Sequence, residues 1–177
     1  MTGDVGKLYA EALFELSLEM GDPEPVYKEL NNYNDIFRAN PDFIKLLFSP
    51  VIEIKEKLDI IDKVFGKETS VVKNFICLVT EKNRITYLDR ITSEFNKRYN
   101  EYKNIAEMTV ISSIPIKPEL CDKLKAKLEE KSGKKVVLKV EVDPSIIGGM
   151  ILRYGNSQID NSIKGRLEAV AEQLKIQ

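Results

Sequence analysis

The spacing of apolar residues changes once along this chain, and that change limits the fold more than any other feature. Up to about Lys103 they recur with the 3.6-residue period of helices; beyond Asn104 they alternate in twos. Val5, Leu8, Tyr9, Ala12, Leu13, Leu16 and Met20 form one helical stripe, which Gly21-Asp22-Pro23 interrupts. A second helix carries Val26, Leu30, Tyr33 and Phe37. Asn40-Pro41, a capping residue followed by proline at the first helical position, opens a short third. Ile54, Leu58, Ile61 and Phe65 mark a fourth, stopped at Gly66. The fifth, from Val71 through Val79, is more apolar than one buried face requires; Leu88, Ile91, Phe95 and Tyr99 mark a sixth. Short connections between such helices predict a compact six-helix bundle over residues 1–104.

Residues 105–177 predict a different kind of domain. "IAEMTVISSI" alternates as a strand does, and Pro118 opens a helix with Leu120, Leu124 and Leu128 four apart, closed at Gly133. Val136, Leu138, Val140 and Val142 then oppose Lys139, Glu141 and Asp143, the pattern of a half-buried strand. A hairpin and a last helix follow. The expected fold class is therefore α+β in two domains: a helical bundle, then a small domain with a β-hairpin and two helices.

Much chemistry is excluded by composition. The chain has no histidine, so neither a Ser-His-Asp nor a Cys-His nucleophile system nor an HExxH zinc site can be built. "GGMILRYG" and "KSGKK" both fail the GxxxxGK[ST] pattern that cradles phosphate, and no GxGxxG occurs. Carboxylate pairs or a buried lysine remain open to acid–base work, but the acidic residues fall mostly on the polar sides of helices. Cys77 and Cys121 stand far apart without ligand-rich neighbours, and read as small apolar residues of a reducing compartment. No apolar run approaches the roughly 18 residues that span a bilayer, and the opening residues do not read as a secretory signal. A non-catalytic, cytosolic protein without cofactor or metal is expected.

The stretch from Gly148 to Val170 packs the most unusual parts together. Gly155-Asn156 suits a two-residue hairpin loop, which pairs Tyr154 with Ser157 and Leu152 with Ile159. Met150, Leu152, Tyr154 and Ile159 then share one face; Arg153, Gln158 and Asp160 share the other, with Arg153 and Asp160 diagonal neighbours. Asp160-Asn161-Ser162 supplies capping oxygens for a helix with Ile163, Leu167, Val170, Ala171 and Leu174 on one side. Gly165 in its first turn costs about 1 kcal/mol relative to alanine, so something should approach its backbone. Close packing of helix on strand and a contact surface for a partner both fit.

"VDPSIIGGMILRYGNSQIDNSIKGRLEAV" resembles the C-terminal signature of the F-type ATP synthase delta subunit family, the bacterial relatives of the oligomycin-sensitivity-conferring protein. Asp143, Ser145, Ile146, Ile147, Gly148 and Gly149 match its opening; Asp160, Ser162, Ile163, Lys164, Gly165, Arg166 and Leu167 match its close. "YAEALFEL", "SPVIEIKEK" and "FICLVTEKNRITYLDRI" resemble the family upstream. Asn156 and Asn161 replace the aspartate and glycine common there, and Tyr154 is larger than usual. The resemblance implies a stator subunit that ties the catalytic head to the peripheral stalk, so that the head does not turn with the rotor. It implies that the helical domain receives the N-terminal helix of an alpha subunit between its first and fifth helices, at Tyr9, Leu13, Ile76, Val79 and Asn83. It further implies that the C-terminal domain meets the b subunits. One copy per complex, monomeric alone, would touch the cytoplasmic face of the membrane only through that complex.

The alternative is a nucleic-acid-binding adaptor using Lys123, Lys125, Lys127, Lys131, Lys134, Lys135 and Lys139. Glu129, Glu130 and Glu141 interrupt that set, the net charge is −1, and no RNP-type or GXXG motif accompanies it.

Overall fold

The computed structural model describes residues 5–66, 70–155 and 157–175, with side chains to residue 172. Among them are eight α-helices and one four-stranded sheet. The chain divides into two compact units, Met1–Tyr99 and Asn100–Gln177. The division falls a few residues before the change of period, within the last turn of the helix that ends at Tyr102. It stops where Asn104, at φ 55°, takes the left-handed conformation that asparagine tolerates better than most residues.

The first unit contains α1 (Val5–Glu19), α2 (Glu24–Ala39), α3 (Pro41–Phe48), α4 (Ile54–Phe65), α5 (Val71–Glu81) and most of α6 (Leu88–Tyr102). Val26, Leu30, Tyr33 and Phe37 of α2 are buried, as are Leu88, Ile91, Phe95 and Tyr99 of α6, so both expected stripes face inward. Aromatic rings link the helices: Phe37 stacks on Phe43 at 5.0 Å, and Tyr27 on Tyr99 at 4.0 Å. Proline stands at the start of α3, and Ser70 caps α5 by accepting from the Lys73 N–H.

α1 departs from its expected stripe. Its buried residues are Gly6, Ala10, Leu13 and Ser17, while Leu8, Leu16 and Met20 are exposed. Small residues let its backbone approach: a Cβ on Gly6 would lie 2.8 Å from the Arg90 side chain. The larger apolar residues are left for other contacts.

The second unit holds β1 (Ile105–Ser112), α7 (Pro118–Ser132), β2 (Lys135–Val142), β3 (Met150–Tyr154), β4 (Ser157–Asp160) and α8 (Ile163–Lys175), with strand order β2-β1-β3-β4. β1 and β2 are parallel and joined by α7, a βαβ crossover; β3 returns antiparallel to β1. The hairpin register pairs Tyr154 with Ser157 and Leu152 with Ile159. Gly155 has φ 55°, and Asn156 lies outside the described residues. Arg153 donates to Gln158 directly opposite, at 2.9 Å, rather than reaching diagonally to Asp160. Gly133 closes α7 in the left-handed conformation.

Each sheet face carries part of the core. Ala106, Met108 and Val136 pack with Leu128 of α7 on one; Ile111, Ile146 and Ile151 cluster on the other. The expected face of Met150, Leu152, Tyr154 and Ile159 is incompletely covered, since Tyr154 and Ile159 are exposed. Ile151, on the same strand face as Arg153, is buried against the turn at Pro144–Ile146.

Candidate functional site

α1 and α5 together border an open apolar groove of about 350 Å3. Its walls are Tyr9, Leu13 and Leu16 from α1 and Val71, Phe75 and Leu78 from α5. Leu16 and Leu78 are 43% and 44% exposed, so each offers roughly half its side chain to whatever fills the trough. Tyr9 and Phe75 meet edge to face at 6.1 Å. Arg84 fixes one end of this wall by donating to the Tyr9 hydroxyl at 3.0 Å, with its guanidinium 5.4 Å from the ring centre.

The groove sorts the sequence-derived residues. Tyr9 and Leu13 line it. Ile76 and Val79 are fully buried and lie beneath, so for these two the structure corrects the expectation of a docking contact. The reason is helical phase: Phe75 and Leu78 occupy the outer side of α5, and Ile76 and Val79 the inner. Asn83 does not line the groove either. At φ 53° it ends α5, where the Arg84 N–H bonds to the Val79 carbonyl at 2.8 Å. Leu16, Val71, Phe75 and Leu78 also line the groove and were not singled out from the sequence; the one signal for the three from α5 was its excess apolarity.

The residues between Asp143 and Leu167 form a joint. Asp143 accepts from the Ser145 N–H at 2.9 Å, and the Ser145 hydroxyl and backbone hold its carboxyl below the ordinary aspartate value. The chain turns sharply at Ile147, φ 68°, with the Gly148 N–H bonded to the Ile146 carbonyl. Gly149, φ 82°, passes so close to the start of α8 that a Cβ would lie 2.4 Å from the Asn161 carbonyl oxygen. A Cβ on Gly148 would meet the Ile163 side chain at 2.8 Å. Asp160 accepts from the Ser162 N–H at 2.8 Å, and Ser162 caps α8 by accepting from the Gly165 N–H at 2.9 Å. The Ser162 hydroxyl and backbone likewise lower the Asp160 carboxyl. A Cβ on Gly165 would lie 2.9 Å from that carboxylate, which explains glycine in a helical first turn. Leu167, by contrast, is exposed. The glycines, Asp143, Asp160 and Ser162 thus serve close packing between turn, strand and helix.

Among the described residues no group of three or more acidic or sulfur side chains converges as a metal site requires. Burial pushes the Cys77 thiol above its ordinary range, the opposite of an activated nucleophile.

Residues 5–174 match the family model described as ATP synthase delta (OSCP) subunit. The chain belongs to that family. It is 35% identical to the ATP synthase subunit delta of Clostridioides difficile (strain 630) over 176 residues, covering 98% of this chain and 97% of that one. It is 36% identical to the counterpart from Alkaliphilus oremlandii, covering 96% and 95%. Its fold is similar to a chain in the cryo-EM structure of the Toxoplasma gondii mitochondrial ATP synthase hexamer, with TM-score 0.75, 22% identity, and coverage of 97% and 98%. As a delta-family chain it is a non-catalytic peripheral-stalk subunit of F-type ATP synthase, part of a membrane-associated complex. No helix among the described residues is long and apolar enough to cross a membrane. The nucleic-acid alternative finds no support in these relatives.

Proposed function

We propose that this delta-family chain joins the catalytic head to the stalk through two separate attachments, one in each unit, at the cytoplasmic face of the membrane. Its six N-terminal helices act as a bundle that receives the N-terminal helix of an alpha subunit, and its C-terminal unit holds the b subunits. The observation that carries the first attachment is the groove between α1 and α5, open along half-exposed Leu16 and Leu78. An amphipathic helix lays its apolar face into such a trough, reading it at i, i+3, i+4 and i+7. Covering the open halves of the two leucines is worth about 2 kcal/mol, since full burial of such a side chain contributes about 1.5–3 kcal/mol.

A stator link must outlast many turnovers, which favours affinity near nanomolar, about −12 kcal/mol. Two attachments within one assembly add avidity beyond either alone. The test is calorimetric titration of the full chain with a peptide of the cognate alpha N-terminus. The expected result is tight binding with a negative heat-capacity change, reduced at least about 100-fold by a combined Leu16→Asp and Leu78→Asp change, with the melting temperature preserved. Unchanged affinity in that variant would move the alpha helix elsewhere.

A further inference from the structure

α5 presents two apolar faces, and burial alone does not choose between them. Val72, Ile76 and Val79 are fully buried, while Val71, Phe75 and Leu78 line the groove. Each residue of the second set directly precedes one of the first, so a turn of one residue, about 100°, exchanges the two sets. Apolar attraction is non-directional and roughly proportional to area, so it discriminates weakly between the two settings. A groove of fixed shape therefore needs directional contacts on α5.

Such contacts gather at the start of the helix. The Ser70 hydroxyl caps α5 by accepting from the Lys73 N–H at 2.9 Å, and it donates to the Glu29 carboxylate of α2. The Lys73 side chain, 6% exposed, runs back to α4, where its ammonium meets Asp62 Oδ1 at 2.6 Å and donates to the Gly66 carbonyl. Ser70 thus ties α5 to α2, and Lys73 ties it to α4. None of Glu29, Asp62, Ser70 and Lys73 is among the described residues lining the groove. A buried charge paired in this way adds little net stability, because desolvation offsets the attraction. What it adds is direction. A one-residue turn would carry each Cα about 3.5 Å around the helix cylinder, which is more than these hydrogen bonds tolerate.

We propose that Glu29, Asp62, Ser70 and Lys73 are positioning residues: they fix the rotation of α5 and so hold the groove in its binding-competent shape before the alpha-subunit helix arrives. The inference rests on the reading of this groove as the alpha seat, and adds what keeps the seat formed. The experiment measures association and dissociation rates of the alpha N-terminal peptide on the full chain, with a thermal melt of each variant. Lys73→Met keeps a buried apolar stem and removes the charge, while Asp62, 48% exposed, regains water. It should slow association about tenfold and leave dissociation within about twofold, because apparent affinity falls with the competent fraction while the bound state is unaltered. Its melting temperature should stay within a few degrees of the parent's. Glu29→Leu should slow association about fivefold, and Glu29→Gln, which keeps an oxygen for Ser70, should restore it to within about twofold of the parent. Parental association in both Lys73→Met and Glu29→Leu, with binding still lost in the Leu16→Asp, Leu78→Asp variant, overturns the positioning role and leaves the seat intact. Failure of the unaltered chain to bind the peptide overturns both. A loss carried by faster dissociation alone, or one that Glu29→Gln does not restore, also overturns the positioning role. Should Lys73→Met fail to fold, the two Glu29 variants decide.

Discussion

Gly149 and Gly165 look alike in the sequence but answer to different constraints. Gly149 has a left-handed backbone and the Asn161 carbonyl in the space a side chain would take. Gly149→Ala should therefore cost about 3 kcal/mol or more in urea unfolding of the C-terminal unit, combining backbone strain with an immovable neighbour. Gly165 meets only the end of the Asp160 side chain, which can swing away at the expense of its cap. Gly165→Ala should cost about 1 kcal/mol or less, because alanine's helix propensity offsets part of the loss.

Asp160 also sets a pH response. Its folded-state carboxyl lies below the ordinary 3.8 because Ser162 donates to the charged form. The stabilisation is therefore complete above the unfolded value and is lost as pH falls through the folded one. Asp160→Asn keeps an accepting oxygen but cannot titrate, so its acid-unfolding curve should be shallower below about pH 4 than the parent's. Asp160, Ser162 and Gly165 were readable as a cap and a close approach because each has one local role. Ile147 was not readable: a β-branched residue at φ 68° has no local signal, and only the turn around it imposes that conformation.

At the scale of elements, periodicity identified the helices but not always the side that faces inward. α2 and α6 bury their apolar stripes because large residues point to one side of each. α1 instead buries mostly small ones, with Leu13 the exception, and nothing within α1 reveals that Arg90 and its helix approach at Gly6. The same limit applies to α5, which is apolar on both sides, so its groove-facing residues required the neighbouring helix. The distinction is measurable. Leu78→Ala should leave stability within about 0.5 kcal/mol of the parent yet weaken alpha-peptide binding about tenfold. Val79→Ala should lower stability by about 2 kcal/mol, through lost burial and a small cavity, while the binding that survives at low temperature stays close to the parent's. Thermal melts and calorimetry on the two variants separate the roles. In the sheet, the two-residue loop gave the hairpin register directly, but the parallel pairing of β1 with β2 depends on contacts across α7 that no local pattern encodes.

For the whole molecule, the single change of hydrophobic period lies a few residues beyond the boundary between the two compact units, and the family signature across the joint foretold which complex the chain serves. What the chain does there follows from separation of tasks. On the proposed reading each unit carries its own attachment, the first through the groove between α1 and α5. A link built this way must hold both partners at once. Analytical ultracentrifugation of a catalytic head, the soluble portion of the b subunits and this chain tests that requirement directly. The account predicts that head and stalk sediment together only when the chain is added, one copy per complex, and separate again with the Leu16→Asp, Leu78→Asp variant. Head and stalk cosedimenting without the chain, or one partner displacing the other from it, would contradict the account.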